Sequence, residues 1–358
     1  MKIALVEPPL EGHKYRGIGT YFNNLVKALE KLSTVNFQLS TIKNIPENVD
    51  IVHFPYFDPF FLTLPIIKKK PTVTTVHDLT PIVFPDKFPP GIRGKIRWQI
   101  QKYSLRKSSA IITDSENSKR DIVRLTGFPK DKIFVVYLAS APEFRLIKDA
   151  LLLRSIREKY HLPEKFVLYV GDVNYSKNIS GLIKAFKRYT SEVSPRAELG
   201  GPSTSEVKLV LVGKAFKDER LKETREIIKL IEFLDLTKKV TRLGFLPIED
   251  LAAIYNLAII YVQPSFYEGF GLPVLEAMAC GVPVVCARVA SLPEVTGAAA
   301  ILVDPKNEEE IMAAINKVLS LSPRERQEMA KKSLTQAKKF SWEKTTQKTL
   351  EVYKKVIG

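Results

Sequence analysis

The chain is poor in the residues that build metal sites and covalent frameworks: two cysteines and four histidines in 358 residues. Cys280 and Cys286 share the stretch ACGVPVVCA, with neither a CxxC spacing nor a nearby histidine. Reduced core thiols of a cytoplasmic protein are therefore expected, rather than a disulfide or a zinc site. Long apolar runs are also missing. The stretch around Leu257 to Val262 falls far short of the roughly 20 residues a membrane span needs. The opening MKIALVEPPL is one lysine and a short apolar run that meets an acid and two prolines, which reads as a buried first strand rather than a leader peptide. Acids are scarce too: 39 Asp and Glu face 55 Lys and Arg, a net charge of +16. Such a field attracts phosphates, anionic lipid or nucleic acid without choosing among them, and a solvated lysine-rich surface accounts for it equally well.

What is present is a regular alternation. Hydrophobic residues make up 45% and charged residues 26%, an ordinary globular mixture. The length exceeds one ordinary α/β core and suits two domains. Strands are expected at 2–7, 37–41, 50–55, 72–78, 110–115 and 132–138, and again at 166–171, 208–213, 240–245, 258–265, 282–287 and 299–304. Helical patterns lie between many of them; Phe22, Leu25, Val26 and Leu29 mark one apolar face. Apolar strands alternating with helices imply parallel sheets covered on both faces. The fold class is α/β, with two doubly wound, Rossmann-like domains at 1–150 and 151–338 and a last helix at 339–358 carrying Trp342. Two segments depart from the pattern. PIVFPDKFPPGIRG (81–94) reads as an ordered irregular loop, and SEVSPRAELGGPSTSE (191–206) as a surface loop.

The chemistry concentrates in PSFYEGFGLPVLEAMACGVPVV. A strand ends at Pro264, a loop carries Glu268, Gly269 and Gly271, and Pro273 suits the first turn of a helix. Ligands of open α/β sheets sit at the carboxyl ends of the strands. Backbone N–H groups around Phe270 to Leu272, with the positive helix end, suit a phosphate. Glu268 and Glu276 flank them, and carboxylates commonly accept sugar hydroxyls; the plainer alternative is that Glu276 complements the helix dipole and the glycines turn the chain. Gly17-Ile-Gly19 lacks a third glycine and a following P-loop lysine, so an ATP or dinucleotide reading is poor.

Glu268-x7-Glu276 in these flanks resembles the E-x7-E motif of retaining glycosyltransferases of the GT-B fold, most nearly the large family 4 group with its mannosyl- and glucosyltransferases. GIGTYFNNLVKAL (17–29), TVHDLTPIVFPDKFP (75–89), TDSENSKRDIV (113–123), YVGDVNYSKNISGLIKAF (169–186) and LGFLPIEDLAAIYNLA (243–258) follow in family order. The resemblance implies a nucleotide-sugar donor, GDP-mannose or a UDP-sugar, held in a cleft between the domains without metal or other cofactor. It implies that Glu276 binds the ribose, Glu268 the donor sugar, the backbone at Gly269, Phe270, Gly271 and Leu272 the diphosphate and sugar, and Lys177 the leaving diphosphate, where charge builds as the C1–O bond breaks. His77 would reach the donor sugar, Gly17 and Gly19 would form a loop beside acceptor and diphosphate, and Phe245 and Leu246 would meet the base. In relatives the last helix crosses back to the first domain.

One departure concerns charge. Many relatives carry an arginine beside or just before the lysine; here Asp172 follows Gly171 and Ser176 precedes Lys177, which leaves Lys214 as a replacement cation. Retention by front-face attack, with the leaving phosphate taking the acceptor proton, requires no general base. The acceptor, a glycan or lipid-linked hydroxyl, is expected at the Gly17–Gly19 loop, 53–60 and 81–98. The basic, Trp98-bearing segment 91–107 is either an ordinary surface helix or a helix resting on an anionic membrane, which would place the protein at the inner membrane face. A sugar-nucleotide epimerase, a glycogen-phosphorylase-like enzyme and a polyanion or nucleic-acid binder are the competing readings. Scattered basic residues and the lack of a known binding module argue against nucleic acid.

Overall fold

The computed structural model describes residues 1–8, 17–32, 36–192 and 206–358; the expected loop at 193–205 lies outside them. The chain forms two compact units, Met1–Ala139 with Phe340–Gly358, and Ser140–Lys339. All twelve expected strands are present. The first unit holds β1 (Lys2–Val6), β2 (Asn36–Ser40), β3 (Ile51–Phe54), β4 (Thr72–Thr75), β5 (Ala110–Thr113) and β6 (Ile133–Val135). The second holds β7 (Lys165–Val170), β8 (Val207–Val212), β9 (Val240–Leu243), β10 (Ile260–Gln263), β11 (Val284–Ala287) and β12 (Ala300–Val303).

Each set forms one parallel sheet, in the orders β2-β1-β3-β4-β5-β6 and β12-β11-β10-β7-β8-β9. Central strands β3, β4, β5, β10 and β11 are buried throughout, whereas the edge strands β2 and β9 are only partly covered. Their Val- and Ile-rich sequences follow from burial on both faces. The strand order reverses direction between β1 and β3 in one sheet and between β7 and β10 in the other. Helices after the two strands of such a pair leave on opposite faces, so a crevice opens at the carboxyl ends.

In the first unit, the helix Gly17–Glu30 buries Tyr21, Leu25 and Leu29. The last helix, Trp342–Ile357, begins at Ser341, whose side chain accepts from the Lys344 N–H. Its Val352 and Tyr353 pack with Ile3, Ile51, Val73 and Ile112, and Thr345 Oγ1 donates to the Tyr137 carbonyl at 2.7 Å. Burying Val352 and Tyr353 stabilises this attachment by about 1.5–3 kcal/mol each. The segment 81–94 is less irregular than its Pro and Gly content suggests. Thr80–Val83 makes one helical turn with Pro81 near its start, and Gly91 opens the helix Gly91–Arg106; proline is tolerated in a first turn because the N–H it lacks has no partner there.

Cys280 and Cys286 are buried free thiols. No helix among the described residues is long and apolar enough to cross a membrane.

Candidate functional site

The β7/β10 reversal is where polar side chains converge. After β7, Tyr175–Lys177 makes one 3-10 turn, and Asn178 follows with φ 53°, a left-handed conformation that asparagine tolerates better than most residues. Its amide donates to the carbonyls of Pro264 at 3.0 Å and Pro305 at 2.7 Å, and its Oδ1 accepts from the Gly181 N–H. That brace fixes the direction in which Lys177 leaves the turn. Lys177 Nζ then meets Glu268 Oε1 at 2.9 Å and Oε2 at 2.8 Å.

Glu268 is 6% exposed, and a buried carboxylate needs partners. Besides Lys177, Oε1 accepts from Gln263 Nε2 at 2.6 Å and Ser265 Oγ at 2.7 Å. Gln263 in turn accepts from the Tyr261 hydroxyl. The loop itself is pinned by Ser291, whose hydroxyl lies 2.9 Å from the carbonyls of both Glu268 and Phe270. Gly271 takes φ 99°, a left-handed conformation that favours glycine, and a Cβ there would also push the end of the Leu292 side chain, 2.6 Å away, aside. The helix Leu272–Ala279 begins directly after it.

Glu276 points to a different partner. It is partly buried, and Oε2 accepts from the Tyr255 hydroxyl at 3.0 Å. Burial pushes its carboxyl up to about 7, with the Tyr255 hydrogen bond opposing. The two acids of the motif thus differ: Glu268 is paired with a cation, and Glu276 is held near neutrality by its surroundings. Behind the loop, β7 and β8 end at glycines that nearly touch. A Cβ on Gly213 would stand 2.0 Å from the Gly171 carbonyl oxygen.

Lys214, directly after Gly213, makes no hydrogen bond or ion pair with Lys177, Glu268 or Glu276. It lines an open depression with Lys217, Asp218, Glu219, Arg220, Gly244 and Phe245. Phe245 is 60% exposed there, while Leu246 is buried.

The remaining sequence-predicted residues belong to the first unit. Gly17 and Gly19 lie inside the first turn of the helix Gly17–Glu30, not in a loop as the resemblance implied; once no strained turn is needed, glycine is compatible with an α-helical start. His77 follows β4. Its Nδ1 meets Asp114 Oδ2 at 2.7 Å, and its ring stands edge-on to Tyr21 at 4.8 Å. Burial disfavours the imidazolium, but the Asp114 charge and hydrogen bond, aided by Asp78 and the Pro55 backbone, outweigh it and raise the His77 pKa. Nε2 is buried, and the Pro55 backbone that helps to raise the pKa falls short of a well-formed hydrogen bond to it.

Sequence reasoning overlooked Gln263, Ser265, Ser291, Tyr255, Asn178 and Asp114. Gln263 left a signal, as a buried amide inside an otherwise apolar strand; the others look like ordinary polar residues until the chain folds.

The family described as glycosyl transferases group 1 matches residues 154–336, and glycosyltransferase family 4 matches 34–139. The O-antigen chain mannosyltransferase B of Escherichia coli is 36% identical over 287 residues, covering 79% of this chain and 70% of that protein. A serotype-specific mannosyltransferase of the same species is 30% identical over 290 residues, covering 80% of this chain but 34% of that longer protein. Among solved structures, sucrose-phosphate synthase from Thermosynechococcus elongatus superposes with a TM-score of 0.75 at 21% identity, covering 99% of this chain and 98% of that one. Anabaena HepE, in complex with UDP and glucose, gives 0.75 at 18% identity, with coverage of 99% and 100%. At such identities the likeness concerns the fold, which is GT-B.

Proposed function

This chain is a glycosyltransferase of the glycosyl transferases group 1 family, and we propose that it moves a hexose from a nucleoside-diphosphate sugar to a glycan or lipid-linked hydroxyl, with retention and without a metal. The observation that carries the reading is the Lys177–Glu268 pair at the β7/β10 reversal, beside the helix start at Leu272 and the second acid, Glu276. Lys177 and Glu268 pair with each other here. A donor offers each a better partner: the diphosphate for the ammonium, sugar hydroxyls for the carboxylate. Gln263 and Ser265 hold Glu268 in place during that exchange.

As the C1–O bond breaks, negative charge grows on the leaving diphosphate. Lys177 and the N-terminal end of Leu272–Ala279 are placed to stabilise it. On this reading the lysine and the helix end would do there what a metal ion does in other transferases. Glu276 and the depression at Phe245 would take ribose and base, with Lys214 supplying charge there in place of the absent arginine. His77 would address the donor sugar through Nε2, its other nitrogen being held by Asp114. No residue is assigned as a general base, in keeping with front-face attack inside an ion pair.

The mannosyltransferase relatives favour mannose, and hence GDP-mannose; a UDP-sugar is the alternative, as in the HepE complex. A thermal-shift panel of GDP, UDP and ADP with their sugars tests this directly. GDP and GDP-mannose should stabilise the protein most, and chelator should change nothing. If none of the nucleotides shifts the melting point, the donor site is misread. Transfer with inversion, seen by NMR at the product's anomeric carbon, would overturn the stereochemical part.

A further inference from the structure

Gln263 ends β10, a central strand with β11 on one side and β7 on the other, and it is fully buried. Such positions are normally apolar, and a buried amide is costly unless its polar atoms are bonded. Here they all are. The amide oxygen accepts from the Tyr261 hydroxyl, and the two Nε2 hydrogens go to Ser265 Oγ at 2.9 Å and Glu268 Oε1 at 2.6 Å. Turning the amide over would set its oxygen against the Glu268 carboxylate, so its orientation is fixed. Ser265 Oγ, having accepted from Gln263, gives its own hydrogen to Glu268 Oε1 at 2.7 Å.

The two oxygens of Glu268 are therefore unequal. Oε1 meets three donors: Gln263, Ser265 and Lys177, the last at 2.9 Å. Oε2 meets Lys177 alone, at 2.8 Å. Each carboxylate oxygen has about two lone pairs to offer. Once Lys177 turns to a diphosphate, Gln263 and Ser265 still fill Oε1, whereas both lone pairs of Oε2 are open.

We propose that Gln263 is a positioning residue for the donor sugar: by filling Oε1 it makes Oε2 the sole receiver of sugar hydroxyls. Glu268 then takes one hydroxyl, or two adjacent ones, on a single oxygen instead of chelating the sugar across both. The proposal rests on Glu268 being the acid that meets the donor sugar. The strand has no need of the amide, since an apolar side chain would suit β10 and leave Ser265 and Lys177 on the carboxylate.

The test compares each nucleotide with its sugar, GDP with GDP-mannose and UDP with UDP-glucose, by calorimetry on the full chain. The ratio of the two affinities is the readout, because any effect on Lys177 and the diphosphate touches both ligands alike. In Gln263→Leu the affinity for the sugar nucleotide relative to its nucleotide should fall about tenfold. Ser265→Ala, which removes the other Oε1 donor, should shift the ratio in the same direction. An amide that serves only the fold would lower the melting temperature and leave the ratio alone, and that result overturns the proposal. Glu268→Ala is the reference. If it leaves the ratio unchanged, Glu268 does not meet the sugar, and the donor-site reading falls together with the proposal. If Glu268→Ala lowers the ratio while Gln263→Leu keeps it, the proposal alone falls. A crystal structure of the parent with the intact sugar nucleotide decides the matter even if Gln263→Leu does not fold. Sugar hydroxyls should lie within hydrogen-bond distance of Oε2 and none within that distance of Oε1; a hydroxyl on Oε1 overturns the proposal.

Discussion

Glu276→Gln separates what this carboxyl does for the fold from what it does for the ligand. Burial lifts its pKa from an ordinary 4.5 to about 7, so between those values the native state holds a proton that the unfolded chain has lost. Stability must then fall as pH rises: the contribution is fully present below about 4.5 and gone above about 7. At 1.36 kcal/mol per unit the interval corresponds to about 3 kcal/mol at most. Partial access of the carboxyl to water reduces this to about 1–2 kcal/mol. Glutamine mimics the protonated acid and does not titrate. The variant should match the parent at pH 5 and exceed it by about 1–2 kcal/mol at pH 8.

The readout must come from the second unit. Trp98 and Trp342 both belong to the first, so tryptophan fluorescence would follow the wrong half. Hydrogen exchange of peptides from β7 to β12, in a urea series at each pH, reports the right one. A difference between variant and parent that stays flat from pH 5 to 8, or that grows toward low pH, refutes the argument. The same variant tests the ligand. Ribose hydroxyls donating to the carboxylate favour its ionised form, so nucleotide affinity of the parent should rise as pH climbs from 5 to 7 and level off above it. Glu276→Gln should bind weakly at every pH, without that slope.

The Lys177–Glu268 pair gives a second prediction. Lys177→Ala should cut turnover about a hundredfold or more and also lower stability, because Glu268 is left buried without its cation. Adding Glu268→Gln should restore the melting temperature but not turnover; if turnover returns as well, Lys177 is structural. Lys214→Ala should raise donor KM with little change in kcat, and an unchanged KM would remove Lys214 as the substitute phosphate cation. Finally, Asp114→Asn should lower the His77 pKa by about one to three units, because burial is then opposed only by Asp78 and the Pro55 backbone. With four histidines in the chain, proton NMR titration can follow His77 individually, and an unmoved pKa would show that Asp114 does not set its charge.

Strands and motif were legible because each leaves a local trace. Buried parallel strands must be apolar on both faces, so β3, β5 and β11 stand out as Val- and Ile-rich runs, and Glu268 and Glu276 sit in one continuous segment. The partner of Glu268 was not legible, since Lys177 lies 91 positions away and only the strand order brings β7 beside β10. Tyr255 was hidden for another reason: a single hydroxyl in an apolar helical stretch carries no periodicity. The helix Gly91–Arg106 reverses the usual rule in part: Leu105 is buried, but so are Gln101 and Ser104, which meet backbone N–H and C=O groups of Thr63 to Pro65, while Ile92 and Ile96 are exposed.

The two strand-order reversals hold their polar groups in opposite electrostatic states, and burial explains both. At β1/β3, His53 is fully buried; its Nε2 lies 2.8 Å from Thr75 Oγ1 and its Nδ1 2.6 Å from the Tyr353 hydroxyl, while Tyr21 reaches Thr75 at 3.2 Å. Burial, with His77 nearby, drives its pKa down to about 3, so it is neutral at any physiological pH. A neutral imidazole offers one donor and one acceptor, which is what a bridge between two hydroxyls requires. This closed network joins the last helix to β3 and to the helix after β1 without a charge. Charge beside it, among the described residues, comes from His77, whose ring is raised toward ionisation by Asp114, with Asp78 nearby. At β7/β10 the arrangement is open: Lys177 and Glu268 are charged and face each other at 20% and 7% exposure. A desolvated ion pair contributes little net stability once its dehydration cost is counted, so its retention there is better explained by the ligand it can exchange for than by the fold it supports.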